Sequence, residues 1–203
     1  MSTAQPTPTV VSFGSDVLER MVLAVEQVRE RLHRSTQALE AAGIPYAVIG
    51  GNAVAAWVSK VDPEAARNTV DVDLMINRAD LEAVKTAMAG AGFVYQEVYG
   101  VHMFLDGPEG RPRSAIHILF AGEKVDPLHI DPSPVITSLG AHDAYKLVDL
   151  EPLVRMKLTS FRDKDRTHLR DLIEVGLIDQ SWVSRFPGEL GQRLQHLFNT
   201  PGG

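Results

Sequence analysis

Between Ser15 and Ala42 the apolar residues Leu18, Val22, Val25, Val28, Leu32 and Leu39 recur at helical spacing, predicting one long amphipathic helix. Ser15 or Asp16 can cap its start, and Gly43 ends it. Tyr46 to Ile49 is a short apolar run of strand type, Gly50-Gly51 reads as a tight turn, and Asn52 to Lys60 returns to helix with Val54, Trp57 and Val58 inward. Val61 to Asn68 carries Pro63 and polar residues and reads as a loop. From Val70 to Ile76 the pattern Val-Asp-Val-Asp-Leu-Met-Ile predicts a strand with both aspartates on one face. A second amphipathic helix is expected over Asp80 to Ala91, followed by strands at Phe93–Val98, Val101–Leu105 and Ala115–Phe120. Gly122 to Ala144 reads as a crossing loop, and helices are expected at Glu151–Phe161, Asp163–Val175 and Glu189–Phe198.

The sum is an α+β chain: a flexible N-terminus over 1–14, a mixed or antiparallel sheet flanked by helices over 15–130, and a helical part over 131–203 packed on it. At 203 residues and 44% hydrophobic, the chain can bury one good core. No apolar run approaches the roughly 18 residues that cross a bilayer, and the start has no signal-peptide design, so the expected location is the cytoplasm with no membrane partner. With no cysteine, disulfides, thiolate nucleophiles and sulfur-bound zinc are excluded. The net charge of -6 argues against coating nucleic acid non-specifically. A local basic patch is still available, because Arg155, Lys157, Arg162, Lys164, Arg166 and Arg170 fall close together, interleaved with Asp163, Asp165 and Asp171.

The informative chemistry is an order: strand, Gly50-Gly51, helix, loop, strand with Asp71-x-Asp73. Glycines directly after a strand let backbone N–H groups approach a phosphate, and the following helix presents its positive end there. Two aspartates at i and i+2 project side by side, an arrangement suited to divalent metal rather than to an unbridged pair of like charges. Walker and G-x-G-x-x-G patterns are absent, and no serine has a nucleophile context.

Ile49-Gly50-Gly51 followed by Thr69-Val70-Asp71-Val72-Asp73-Leu74 resembles the signature of the nucleotidyltransferase superfamily. Arg67-Asn-Thr-Val-Asp71-Val-Asp73, then Leu153-Val-Arg-Met-Lys157, Arg162-Asp-Lys-Asp165 and His168-Leu-Arg170-Asp171, resemble its abortive-infection and toxin-like (AbiEii-type) branch. The resemblance implies a nucleotidyltransferase fold and transfer of a nucleoside monophosphate from an NTP to a hydroxyl of an RNA end such as tRNA, a protein side chain or a small molecule. It also implies the toxin role of a toxin–antitoxin pair. Asp71 and Asp73 would hold Mg2+, or Mn2+; Gly50, Gly51, Asn52, Arg67, Thr69 and Lys157 would contact the nucleotide. An aspartate on the helix after Lys157 would serve the acceptor hydroxyl, either Asp165 or Asp171, with Asp171 favoured by its His-Leu-Arg-Asp-Leu context.

The chain departs from that pattern where the family usually supplies a third carboxylate, since the matching position on Ala115–Phe120 is His117. Four readings are open: His117 orients a water or the acceptor, it ligates a metal such as manganese, the protein only binds nucleotide or a partner, or His117 is a core residue and Glu123 is the third acid. The remaining histidines, His33, His102, His129, His142, His168 and His196, read as surface, loop or helix-face residues.

Overall fold

The computed structural model describes residues 15–136, 140–142 and 145–201; the N-terminal segment 1–14 lies outside them. Helix α1 (Ser15–Ala41) closes on Gly43, whose φ of +67° lets Ile44 N–H reach back to the Leu39 carbonyl at 2.9 Å. Its first turns expose Leu18, Met21, Val22 and Leu23, while Val28, Leu32 and Leu39 are buried. Strand β1 (Tyr46–Ile49) is buried at every position, and α2 (Gly50–Ser59) starts on the next residue. The expected separate Gly-Gly turn is therefore the first turn of the helix itself. Strand β2 runs Val72–Ile76, two residues shorter than the alternation suggested, and α3 (Leu81–Gly90) follows a 3-10 turn at Arg78–Asp80.

Strands β3 (Phe93–Val98), β4 (Val101–Asp106) and β5 (Ile116–Phe120) come next, within a residue of expectation. The stretch expected as a crossing loop, Gly122 to Ala144, contains a short strand, β6 (Gly140–His142), and a second, β7 (Tyr145–Leu147), follows it. Helices α4 (Leu150–Ser160), α5 (Asp163–Glu174) and α6 (Glu189–Asn199) complete the chain, with a 3-10 segment at Gln180–Arg185 before α6. Among the described residues seven strands form one mixed sheet in the order β3-β4-β5-β2-β1-β7-β6, so the C-terminal part adds strands to the sheet as well as helices beside it.

Strand β2 pairs antiparallel with β1 and parallel with β5, which sets Asp73 opposite Ile49 on one side and opposite His117 on the other. Tyr46, Val48, Leu74, Ile116, Leu153 and Leu169 are among the residues fully excluded from solvent in the main core. Helix α2 packs on β1 and β2 and also touches α4 and α5, and Trp57 donates its indole N–H to the Val148 carbonyl at 3.0 Å. Through α2 the C-terminal helices are held over the end of the sheet that carries the aspartates. Among the described residues no helix is long and apolar enough to cross a membrane.

Candidate active site

The glycine pair is dictated by what lies against it. A Cβ on Gly50 would come within 2.7 Å of Asp73 Cγ and 2.9 Å of Asp73 Cβ, and a Cβ on Gly51 within 2.9 Å of Thr69 Oγ1. Gly50 also has φ +69°, a left-handed conformation that costs an L-residue roughly 1–2 kcal/mol. The start of α2 is thus pressed directly on the Asp73 carboxylate, with no side chain between.

Asp71 lies just outside β2, because its carbonyl accepts from Asn52 Nδ2 at 2.7 Å instead of joining the sheet. The preceding loop is tied down twice more: Arg31 Nη2 donates to the Val70 carbonyl at 3.3 Å, and Arg67 Nε meets Asp171 Oδ1 at 2.8 Å. Asn52 and Arg67 therefore set the position of the aspartate loop through α2 and α5. On the strand itself Asp73 faces His117, with Nδ1 and Oδ1 3.9 Å apart. Glu123 is engaged elsewhere, in a bidentate pair with Arg78 at 2.6 Å for each contact.

A cavity of about 400 Å³ opens between this end of the sheet and helices α4 and α5. Of the sequence-predicted residues, Gly50, Gly51, Thr69, Asp71, Asp73 and Lys157 line it together, as does Asp165. Asn52, Arg67, His117 and Asp171 are not in its lining. Sequence reasoning did not single out Thr159, Arg162, Lys164 and His168 on the far wall, nor His129 and Ser133 from the loop after β5. Lys164 and Arg162 stood within the basic run; His168 and the loop residues carried no spacing that marks a site.

The electrostatics divide the cavity. Burial pushes the Asp73 carboxyl pKa up, against the opposing pull of His117, Lys157 and Lys164. Burial likewise pushes the Lys157 ammonium down, with Asp165 and then Asp73 acting to keep it charged. For Asp165, burial alone would raise the pKa, but hydrogen bonds and charge from Arg162, Lys157 and Ser160 win and hold it at about 2. His168 is pushed down to about 4 by burial and by Lys157, so it is neutral at pH 7. Much of the basic run is paired with carboxylates: Arg155 with Asp131 of the loop after β5 at 3.2 Å, Arg162 with Asp165 at 2.7 Å, and Arg166 with Asp163.

Among the described residues no three His, Asp or Glu side chains gather to hold a metal ion unaided. Asp71 and Asp73 nonetheless fit a hard divalent cation: both line the cavity, and among the described residues no side-chain hydrogen bond occupies the Asp73 carboxylate. A bound phosphate or water would have to complete the coordination shell. With no cation, Asp73 is a half-buried charge without a hydrogen-bond donor among the described residues, so Asp73→Asn should raise stability in the presence of a chelator by up to about 1 kcal/mol. Thermal melts in EDTA check this; a lowered midpoint would mean the carboxylate stabilises the fold by itself.

No family model matches the chain, and no curated protein matches it. Among solved structures, an antigenic nucleotidyltransferase-like protein from Paracoccidioides brasiliensis is similar over 86% of this chain and 88% of its own, at 19% identity and a TM-score of 0.52. The antibiotic-resistance factor ANT(2'')-Ia, solved in solution, is similar over 87% of this chain and 85% of its own, at 13% identity and a TM-score of 0.43. The likeness to the Paracoccidioides brasiliensis protein shows a nucleotidyltransferase-like α+β fold.

Proposed function

We propose that the chain is a metal-dependent nucleotidyltransferase, and that Asp71 and Asp73 facing Lys157 across one cavity is the observation that carries this reading. The acceptor hydroxyl oxygen forms a bond to the α-phosphorus of an NTP, the bond from that phosphorus to the bridging oxygen breaks, pyrophosphate leaves, and the hydroxyl proton passes to base or solvent. Mg2+ or Mn2+ bound by Asp71 and Asp73 would act as Lewis acid toward the phosphoryl oxygens. Gly50 and Gly51 admit the phosphates close to the backbone at the start of α2. Lys157 offsets the charge that develops on them from the opposite wall, and the exposed Lys164 adds a second positive group. Asn52 and Arg67 support the reaction by fixing the loop that carries Asp71, and Thr69 lines the cavity beside Gly51.

Isothermal titration with each NTP, in magnesium and in manganese, is expected to give metal-dependent binding that the Asp71→Ala, Asp73→Ala double variant lacks. No binding of any NTP by the wild type would sink the transferase reading. The hydroxyl acceptor, an RNA end, a protein side chain or a small molecule, would then be sought with labelled NTP in cell extract. The toxin role follows from the same chemistry and is read out as growth arrest on induction.

A second reading rests on His117, which stands opposite Asp73 where the resembling family supplies a third carboxylate. On that reading the site binds nucleotide without turnover. NTP binding unaccompanied by pyrophosphate release with any acceptor supports it, and release of pyrophosphate excludes it.

A further inference from the structure

The family resemblance would give Asp165 or Asp171 to the acceptor hydroxyl, yet neither carboxylate is free to take that part. Asp171 has a 7% exposed side chain paired with Arg67, outside the cavity lining. Asp165 is fully buried, and both of its oxygens are occupied. Lys157 Nζ donates to Oδ1 at 3.0 Å; Ser160 Oγ, Arg162 Nε and the Arg162 backbone N–H donate to Oδ2 at 2.8, 2.7 and 3.3 Å. A carboxylate with this many donors has little affinity left for a proton.

What Asp165 does hold is Lys157. The lysine is nearly as buried as its partner, and among the described residues Asp165 supplies its one hydrogen bond, leaving two N–H donors for a phosphate in the cavity it lines. A long, flexible side chain in that position needs something to fix both its direction and its charge, because burial works against the ammonium form. The corner between α4 and α5 does this. Phe161 takes a left-handed conformation, φ 45°, so the chain turns sharply after Ser160 and Asp165 comes back beneath Lys157.

We infer that Asp165 is a positioning residue for nucleotidyl transfer, acting through Lys157 and not on the acceptor. The inference rests on the transferase reading for its consequence, but the link between the two residues can be tested apart from it. Inorganic tripolyphosphate, the part shared by all NTPs, is the binding probe, titrated with magnesium against Asp165→Asn, Lys157→Met and the double variant. Asp165→Asn is expected to weaken binding at least tenfold in the wild-type background and less than twofold in the Lys157→Met background. Equal losses in the two backgrounds would mean that Asp165 acts independently of the lysine and would overturn the inference.

A second arm needs no ligand: acetic anhydride labelling at pH 7.5, read by peptide mass spectrometry, with Lys60 and Lys164 as internal references. Lys157 should label at least tenfold faster in Asp165→Asn, with the reference lysines unchanged and with Ser160→Ala labelling as the wild type does. Unchanged labelling of Lys157 in Asp165→Asn overturns the inference. If the wild type binds no tripolyphosphate, each NTP replaces it as the probe; if no NTP binds either, the transferase reading fails and this arm alone decides the link. If Asp165→Asn does not fold, the double variant decides it: recovery of folding on removing the lysine supports the coupling, and failure of both refutes it.

Discussion

Gly50→Ala is expected both to destabilise the fold and to empty the site. The new carbon would lie 2.7 Å from Asp73 Cγ and 2.9 Å from Asp73 Cβ, the latter close to the backbone of β2 and unable to swing away. The left-handed backbone adds roughly 1–2 kcal/mol of its own, so a total loss of about 3–5 kcal/mol is expected. Whatever relief the protein finds must move Asp73, and metal-dependent nucleotide binding should go with it. Gly51→Ala is the comparison for stability, because its contacts are looser, with Thr69 Oγ1 at 2.9 Å and Thr69 Cβ at 3.1 Å, and Gly51 is not among the glycines with a left-handed backbone. Its cost should stay below about 1.5 kcal/mol. Urea denaturation of the two variants checks the contrast in stability and NTP titration of Gly50→Ala checks the site, and a Gly50→Ala protein with wild-type stability and binding would show that the carboxylate does not sit against the backbone at this position.

That contact also explains why so much of this region was legible in the sequence. A buried four-residue strand, two glycines, a helix and an alternating strand with two aspartates form an order in which each residue type has a local reason. The parts that were not legible depend on long-range packing. Tyr145–Leu147 is too short for periodicity to register, and it becomes a strand only because β1 offers an edge for Val48 to pair with Leu147. Asp71 falls outside β2 because a side chain on α2, Asn52, captures its carbonyl.

The choice between Asp165 and Asp171 was open for a similar reason. Six residues apart, the two lie about 120° apart around one helix, and only the docking of α5 against α4 and α2 decides which faces the cavity. Asp165 turns toward Lys157, and Asp171 toward Arg67 on the aspartate loop. The loop after β5 contributes Val125, His129, Asp131 and Ser133 to the cavity with no hydrophobic pattern that could have announced it.

Removing the two ends of the buried ion pair should have unequal consequences. Asp165→Ala strands the Lys157 ammonium, 7% exposed, without its one hydrogen-bond partner, and a loss of about 3–5 kcal/mol at pH 7 is expected. Lys157→Met leaves Asp165 with Arg162, Ser160 and a backbone N–H, and replaces a buried charge by an apolar chain of similar length, so its cost should stay below about 1.5 kcal/mol. Acid adds an independent signature. The Asp165 pKa is held at about 2 in the folded protein against 3.8 for the ordinary group, so the folded state binds this proton less readily than the unfolded chain. Its contribution, about 2 kcal/mol, is fully present above pH 3.8 and is lost as the pH falls toward 2. Urea denaturation at steps from pH 7 to pH 2 should therefore find the gap between wild type and Asp165→Ala wide and constant above pH 4 and narrowing below it. Equal losses for the two substitutions at pH 7 would mean that Lys157 finds another anion, with Asp73 the nearest candidate. A gap that does not narrow in acid would mean that Asp165 contributes through packing and not through its charge.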